Sequence, residues 1–71
     1  MDIRKQLGSN VREIRGKRGW SQEVLAFESG LHRTYISGIE RGARNPTVLV
    51  LEQLASALGV APARLLEPVT K

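Results

Sequence analysis

The chain has no cysteine, so neither a disulfide nor a thiolate-bound metal can hold its fold together. Only three residues are aromatic, Trp20, Phe27 and Tyr35, too few for the stacking sheet on which many single-stranded RNA binders rely. No long apolar run is present, and the start Met-Asp-Ile-Arg-Lys leads into none, so neither a membrane span nor a secretory signal is expected. His32 is the sole histidine, with no cluster of acids around it, and no metal site is expected. No nucleophile stands in a pattern with a histidine and an orienting acid, and no glycine-rich phosphate loop follows a strand. Neither an enzyme nor a cofactor is therefore expected. Alternating apolar and polar residues, the mark of a half-buried strand, never persist.

What the chain has in excess is positive charge. Eleven Lys and Arg stand against seven Asp and Glu, a formal net charge of +4 with a pI near 10.4. Ten of the eleven cations precede residue 65, so the charge belongs to the folded body and not to a tail. A small basic domain has the electrostatic footprint of a nucleic-acid binder. Its 71 residues suffice for one domain, 1–71, with a modest core, and oligomerisation is the remaining route to stability.

Helical signals are repeated and well punctuated. Ile3, Leu7, Val11 and Ile14 form one stripe and predict a helix from about Asp2 to Arg18, capped by Asp2 and stopped by Gly19. Gly8 and Gly16 sit inside it at a cost of about 1 kcal/mol each relative to Ala. Ser21 caps a second helix, with Glu23 in its first turn and Trp20 placed to staple onto Leu25; Gly30 ends it. A third is predicted over about Arg33–Arg41, stopped by Gly42, with Ile36, Ile39 and Glu40 on one side and Thr34, Ser37, Gly38 and Arg41 on the other. After the loop Ala43–Pro46, Thr47 caps a fourth helix of about Val48–Leu58, with Val48, Leu51, Leu54, Ala55 and Leu58 inward. A short fifth starts at Pro62 and ends at Pro68. The expected fold is all-α, a compact five-helix bundle.

The two short helices of Ser21–Gly42, joined by a glycine turn, have the lengths of a helix-turn-helix unit. The SQEVLA opening, Gly30, RTYISGIERG, Asn45-Pro46 and LEQLASALGV together resemble the phage-repressor/Cro-like (XRE-type) helix-turn-helix family. Within it, LHRTYISGIERGARNPT is most similar to the controller proteins of restriction–modification systems. The resemblance implies a lambda-repressor-like DNA-binding domain whose third helix lies in the major groove of double-stranded DNA. It puts Arg33, Thr34 and Ser37 on base edges, with Arg suited to guanine and Thr to a thymine methyl. It puts Gln22, Tyr35, Arg41, Arg44 and Asn45 on phosphates. Arg15 and Glu40 match a structural ion pair between the first and third helices. Gly38 departs from the pattern, because many members carry a longer side chain at that reading position. His32 departs too, standing where Ser, Thr or Asp is usual.

Leu49, Val50, Val60, Leu65, Leu66 and Val69 exceed the needs of a small core and are expected to form a two-fold dimer interface. The function this implies is a sequence-specific transcriptional regulator acting as a homodimer on a symmetric operator. By resemblance it controls its own promoter and restriction–modification genes. The domain fills the chain, so no small-molecule effector is expected, and the setting is a bacterial or phage cytoplasm at the nucleoid. The alternatives are an antitoxin-like module whose main partner is a protein, and a general phage-type repressor.

Overall fold

The computed structural model describes residues 2–69, which fold into four α-helices and one 3₁₀ helix with no strand among them. The helices are α1 (Ile3–Lys17), α2 (Gln22–Ser29), α3 (Arg33–Glu40) and α4 (Val48–Leu58), followed by the 3₁₀ helix Pro62–Leu66. None is long and apolar enough to cross a membrane. The all-α class agrees with the sequence reading; the fifth element differs in kind. Pro62 lacks an N–H, and Pro68 holds Glu67 extended at φ −65° and ψ 149°, so only five residues lie between, too few to settle as an α-helix.

Local chemistry fixes the helix starts. Asp2, Ser21 and Thr47 each accept a bond from a backbone N–H of the first turn, from Arg4, Val24 and Val50 respectively. The carboxyl of Asp2 also takes the Arg4 side chain at 3.0 Å, which with the cap bond lowers its pKa to about 2. His32 occupies the cap position of α3 and makes no such bond.

One core unites the elements. Leu7, Val11 and Ile14 of α1 meet Leu25 and Ala26 of α2, Ile36 and Ile39 of α3, Leu54, Ala55 and Leu58 of α4, and Leu65. Two positions expected inward are not there: Ile3 is 55% exposed and Val48 80% exposed, each at the first position of its helix. Gly8, costly in a helix, has its reason in α3. A methyl group built on it would fall 2.7 Å from the Glu40 carbonyl oxygen and closer still to that of Ile39, so its bare Cα lets the two helices touch. Gly16 faces open space.

Polar groups then lock the last element in place. Asn10 is buried on the apolar stripe of α1 and donates to the carbonyls of Leu65 and Glu67, both at 2.8 Å. Gln6 donates to Leu66 at 2.8 Å. These bonds satisfy carbonyls at the end of the 3₁₀ helix.

Candidate nucleic-acid interface

The turn between α2 and α3 is built from Gly30, at φ 75°, and a bond from the Leu31 N–H to the Ala26 carbonyl at 3.1 Å. It returns the chain so that α3 packs Ile36 and Ile39 inward, both essentially fully buried. Arg33 and Thr34 are consequently exposed at the start of α3, and Tyr35 and Ser37 are half-buried beside them.

Four segments meet at Glu40, whose side chain is only 5% exposed. Arg15 of α1 donates to it twice, Nε to Oε2 at 2.6 Å and Nη2 to Oε1 at 2.9 Å. The third nitrogen of the same guanidinium donates to the Trp20 carbonyl at 2.8 Å. This hydrogen bonding raises the Arg15 pKa above its already high ordinary value, against the opposing effect of burial. Gln22, at the start of α2, donates its amide to Glu40 Oε1 at 3.0 Å. The node ties α1, the α1–α2 turn and α2 to the last residue of α3, so the exposed face of α3 is held at a fixed pose. Part of the Gln22 amide is therefore engaged within the protein, a contact that sequence pattern did not reveal.

Beyond α3 the chain turns back sharply. Gly42, at φ 76°, donates to the Ile39 carbonyl and Ala43 to the Gly38 carbonyl. Arg41 lies back along the helix with Nε 3.3 Å from the Ser37 carbonyl. Arg44 crosses α3: a methyl group built on Gly38 would sit 2.8 Å from its Cγ and 3.0 Å from its Nε. Its guanidinium carbon stands 5.4 Å from the centre of the Tyr35 ring. Gly38 is thus buried and not an open gap in the helix surface. Asn45 follows, exposed. Among the described residues Arg33, Arg41 and Arg44 enter no salt bridge, whereas Arg4, Arg15, Lys17 and Arg64 do.

The apolar surplus divides differently from the sequence expectation. Leu65 is completely buried and cannot form an interface: the tight 3₁₀ turn aims it into the core between α1 and α4. This corrects its assignment. Leu49 at 71% and Leu66 at 37% are exposed, while Val50, Val60 and Val69 are half-buried. Val48 and Ile3 add exposed apolar surface that the helical pattern had placed inside. Ile3, Leu7, Pro46, Leu51 and Leu66 also line a hollow of about 110 Å³. A larger open groove of about 560 Å³ lies between α2 and α4; Glu28 and Glu52 line it, so its charge is opposite to that of the α3 face.

Comparison with known proteins gives a concordant result. A family model described as helix-turn-helix matches residues 11–65. The control protein C.BamHI of Bacillus amyloliquefaciens is 53% identical over 70 residues, which cover 97% of this chain and 86% of that one. The crystal structure of the restriction–modification controller protein C.AhdI from Aeromonas hydrophila superposes with a TM-score of 0.87 at 43% identity. It covers 92% of this chain and 98% of that one. The controller protein C.Esp1396I, solved as a tetramer in complex with its natural 35-base-pair operator, superposes with a TM-score of 0.83 at 38% identity. That match covers 92% of this chain and 86% of the other.

Proposed function

This chain belongs to the helix-turn-helix family, and on that premise we propose that it is a sequence-specific, double-stranded-DNA-binding transcriptional regulator of the controller type. The observation that carries the proposal is the exposed face of α3. It presents Arg33 and Thr34 at its start and Arg41 and Arg44, neither in a salt bridge among the described residues, at its end, and the Arg15–Glu40–Gln22 node holds it. A rigid helix with free arginines and a hydroxyl has what major-groove reading requires. Arg33 and Thr34, with Ser37 one turn on, contact base edges. Tyr35, Arg41, Asn45 and the free part of the Gln22 amide contact phosphates and fix the register.

The protein acts as a homodimer. The exposed Leu49, Val48, Leu66 and Ile3 supply the interface, the last two lining the small hollow, with Val50, Val60 and Val69 at its margin. A second recognition helix follows from this, because three reading side chains per copy specify too few base pairs to locate one site. The relative C.Esp1396I engages its operator as a tetramer, which supports assembly on DNA here as well. Control of its own promoter and of restriction–modification genes follows from the controller relatives. Dimer formation then makes the response depend on the protein's own concentration. The work belongs in the cytoplasm, at the nucleoid, and is binding without catalysis.

The test is selection of bound duplexes from a random pool at a stated salt concentration. A two-fold symmetric site with half-sites about 10 base pairs apart, ~34 Å, is expected. Recovery of no enriched sequence contradicts the proposal.

A further inference from the structure

The turn after α3 is pressed against the start of α1. A methyl group built on Gly42 would stand 2.6 Å from Cγ of Lys5, 3.2 Å from its Cα and 3.3 Å from its backbone N. The Lys5 stem therefore passes directly over Gly42, the residue that follows Arg41. The contact continues along both segments, where Ile3 and Arg4 line the small hollow together with Asn45 and Pro46. Two separate contacts thus set the first turn of α1 beside segment 41–46, in which Arg41 and Asn45 are assigned to phosphates. The two cations of that first turn differ. Arg4 is held by the Asp2 carboxylate, Nη2 to Oδ2 at 3.0 Å and Nε to Oδ1 at 3.2 Å, so its charge is compensated within the protein. Lys5 is exposed and enters no salt bridge among the described residues. The carboxylates at the cap of α1 and the end of α3 are already engaged, Asp2 by Arg4 and Glu40 by Arg15 and Gln22.

We propose that Lys5 is a DNA-binding residue whose ammonium holds a backbone phosphate on the flank of the half-site, with Gly42 as the floor its stem crosses. The first turn of α1 is then a contact element of its own, outside the helix-turn-helix unit. This rests on the DNA-binding function proposed above. Arg33 and Thr34 open α3, whereas Lys5 lies past its other end, so the phosphate it meets belongs to duplex outside the base pairs read at the helix start. A flexible stem carrying a point charge suits a phosphate and carries no sequence information. The competing role is local: a cation beside the last turn of α3 also complements the negative end of the helix dipole.

The probe is the duplex selected by the wild-type protein, used at full length, trimmed to the base pairs that show discrimination, and as its set of single base-pair substitutions. Affinities of wild type, Lys5→Gln and Lys5→Arg are compared from roughly 50 to 200 mM salt. One phosphate contact adds about 0.9 to the steepness of log affinity against log salt, so over this range the wild type should lose about 3.5-fold more affinity than Lys5→Gln for each bound copy. Lys5→Arg should keep the wild-type steepness, because a phosphate accepts either cation. Discrimination among the substituted duplexes should be the same in all three proteins. On the trimmed duplex the difference between wild type and Lys5→Gln should vanish. The proposal is overturned if Lys5→Gln keeps the wild-type steepness; a fall in its melting temperature would then assign Lys5 to the end of α3. It is overturned equally if Lys5→Gln loses discrimination at one base pair, the mark of a base contact, or if the difference in steepness survives trimming. A wild-type protein that selects no duplex overturns the DNA-binding function and this proposal together; one that selects a duplex, with any negative result above, overturns only this proposal.

Discussion

Glu40 shows how much a single side chain can set. Its Oε1 accepts from both Arg15 and Gln22, and its Oε2 accepts from Arg15 at 2.6 Å, so one carboxylate joins α1, α2 and α3. Removing it leaves a guanidinium that is 16% exposed without its counter-charge. Breaking a largely buried pair from one side is costly even where the pair as a whole adds little. Glu40→Ala is therefore expected to destabilise the fold by about 2–3 kcal/mol, a fall in melting temperature of more than roughly 10 °C for a domain of this size. An unchanged melting curve would remove the node from the explanation of how α3 is held. Arg15 and Glu40 were legible in the sequence through family resemblance. Gln22 was not, because a polar residue in a first turn looks the same whether it faces a phosphate or a carboxylate.

At the level of elements, the two glycines of α1 make opposite demands. A methyl group on Gly8 would run into the backbone carbonyls of α3, and one on Gly16 would meet no other part of the fold within 4 Å. Gly16→Ala should stabilise by about 1 kcal/mol through helix propensity alone. Gly8→Ala should destabilise by about 1–3 kcal/mol, because backbone cannot step aside as a side chain can. Thermal melting of the two variants decides the matter, and a gain in both would show that the close approach of α1 to α3 is dispensable. Apolar periodicity foretold α1 to α4 to within a residue or two, since each helix is amphipathic and closed by a glycine or a capping side chain. It could not separate Gly8 from Gly16, which differ only in what another helix brings near them. It also misjudged Leu65. A 3₁₀ turn sends adjacent leucines to different sides, one into the core and one to the surface, and nothing in a five-residue run between prolines marks which.

Over the whole molecule, charge and apolar exposure are unevenly spread, with Phe27 of α2, 84% exposed, an apolar side chain apart from the rest. The free arginines lie at α3 and the loop after it, Glu28 and Glu52 line the groove between α2 and α4, and Leu49 and Leu66 mark a third surface on the later elements. Leu49, 71% exposed, is the cleanest handle on the proposed dimer contact. Leu49→Glu is expected to yield a monomer in sedimentation at tens of micromolar with its helical content unchanged, and to weaken binding to a symmetric site far more than binding to a single half-site. A variant that sediments as the wild type does would place the dimer interface elsewhere. Asn10 belongs to this scale as well. Buried on α1, it holds the 3₁₀ segment against that helix through the Leu65 and Glu67 carbonyls, and a reading that treats amides as surface residues overlooks it.

The central claim is that the exposed face of α3 reads DNA sequence. Arg33, at the helix start and free of salt bridges among the described residues, is where that claim is most exposed. The direct measurement is the affinity of wild-type and Arg33→Ala proteins for the selected duplex and for random duplex, each at two salt concentrations. The expected result is a roughly 5- to 150-fold loss on the selected duplex, with much smaller loss on random DNA. An equal loss on both contradicts it, because a residue that weakens all DNA alike holds the backbone and reads nothing.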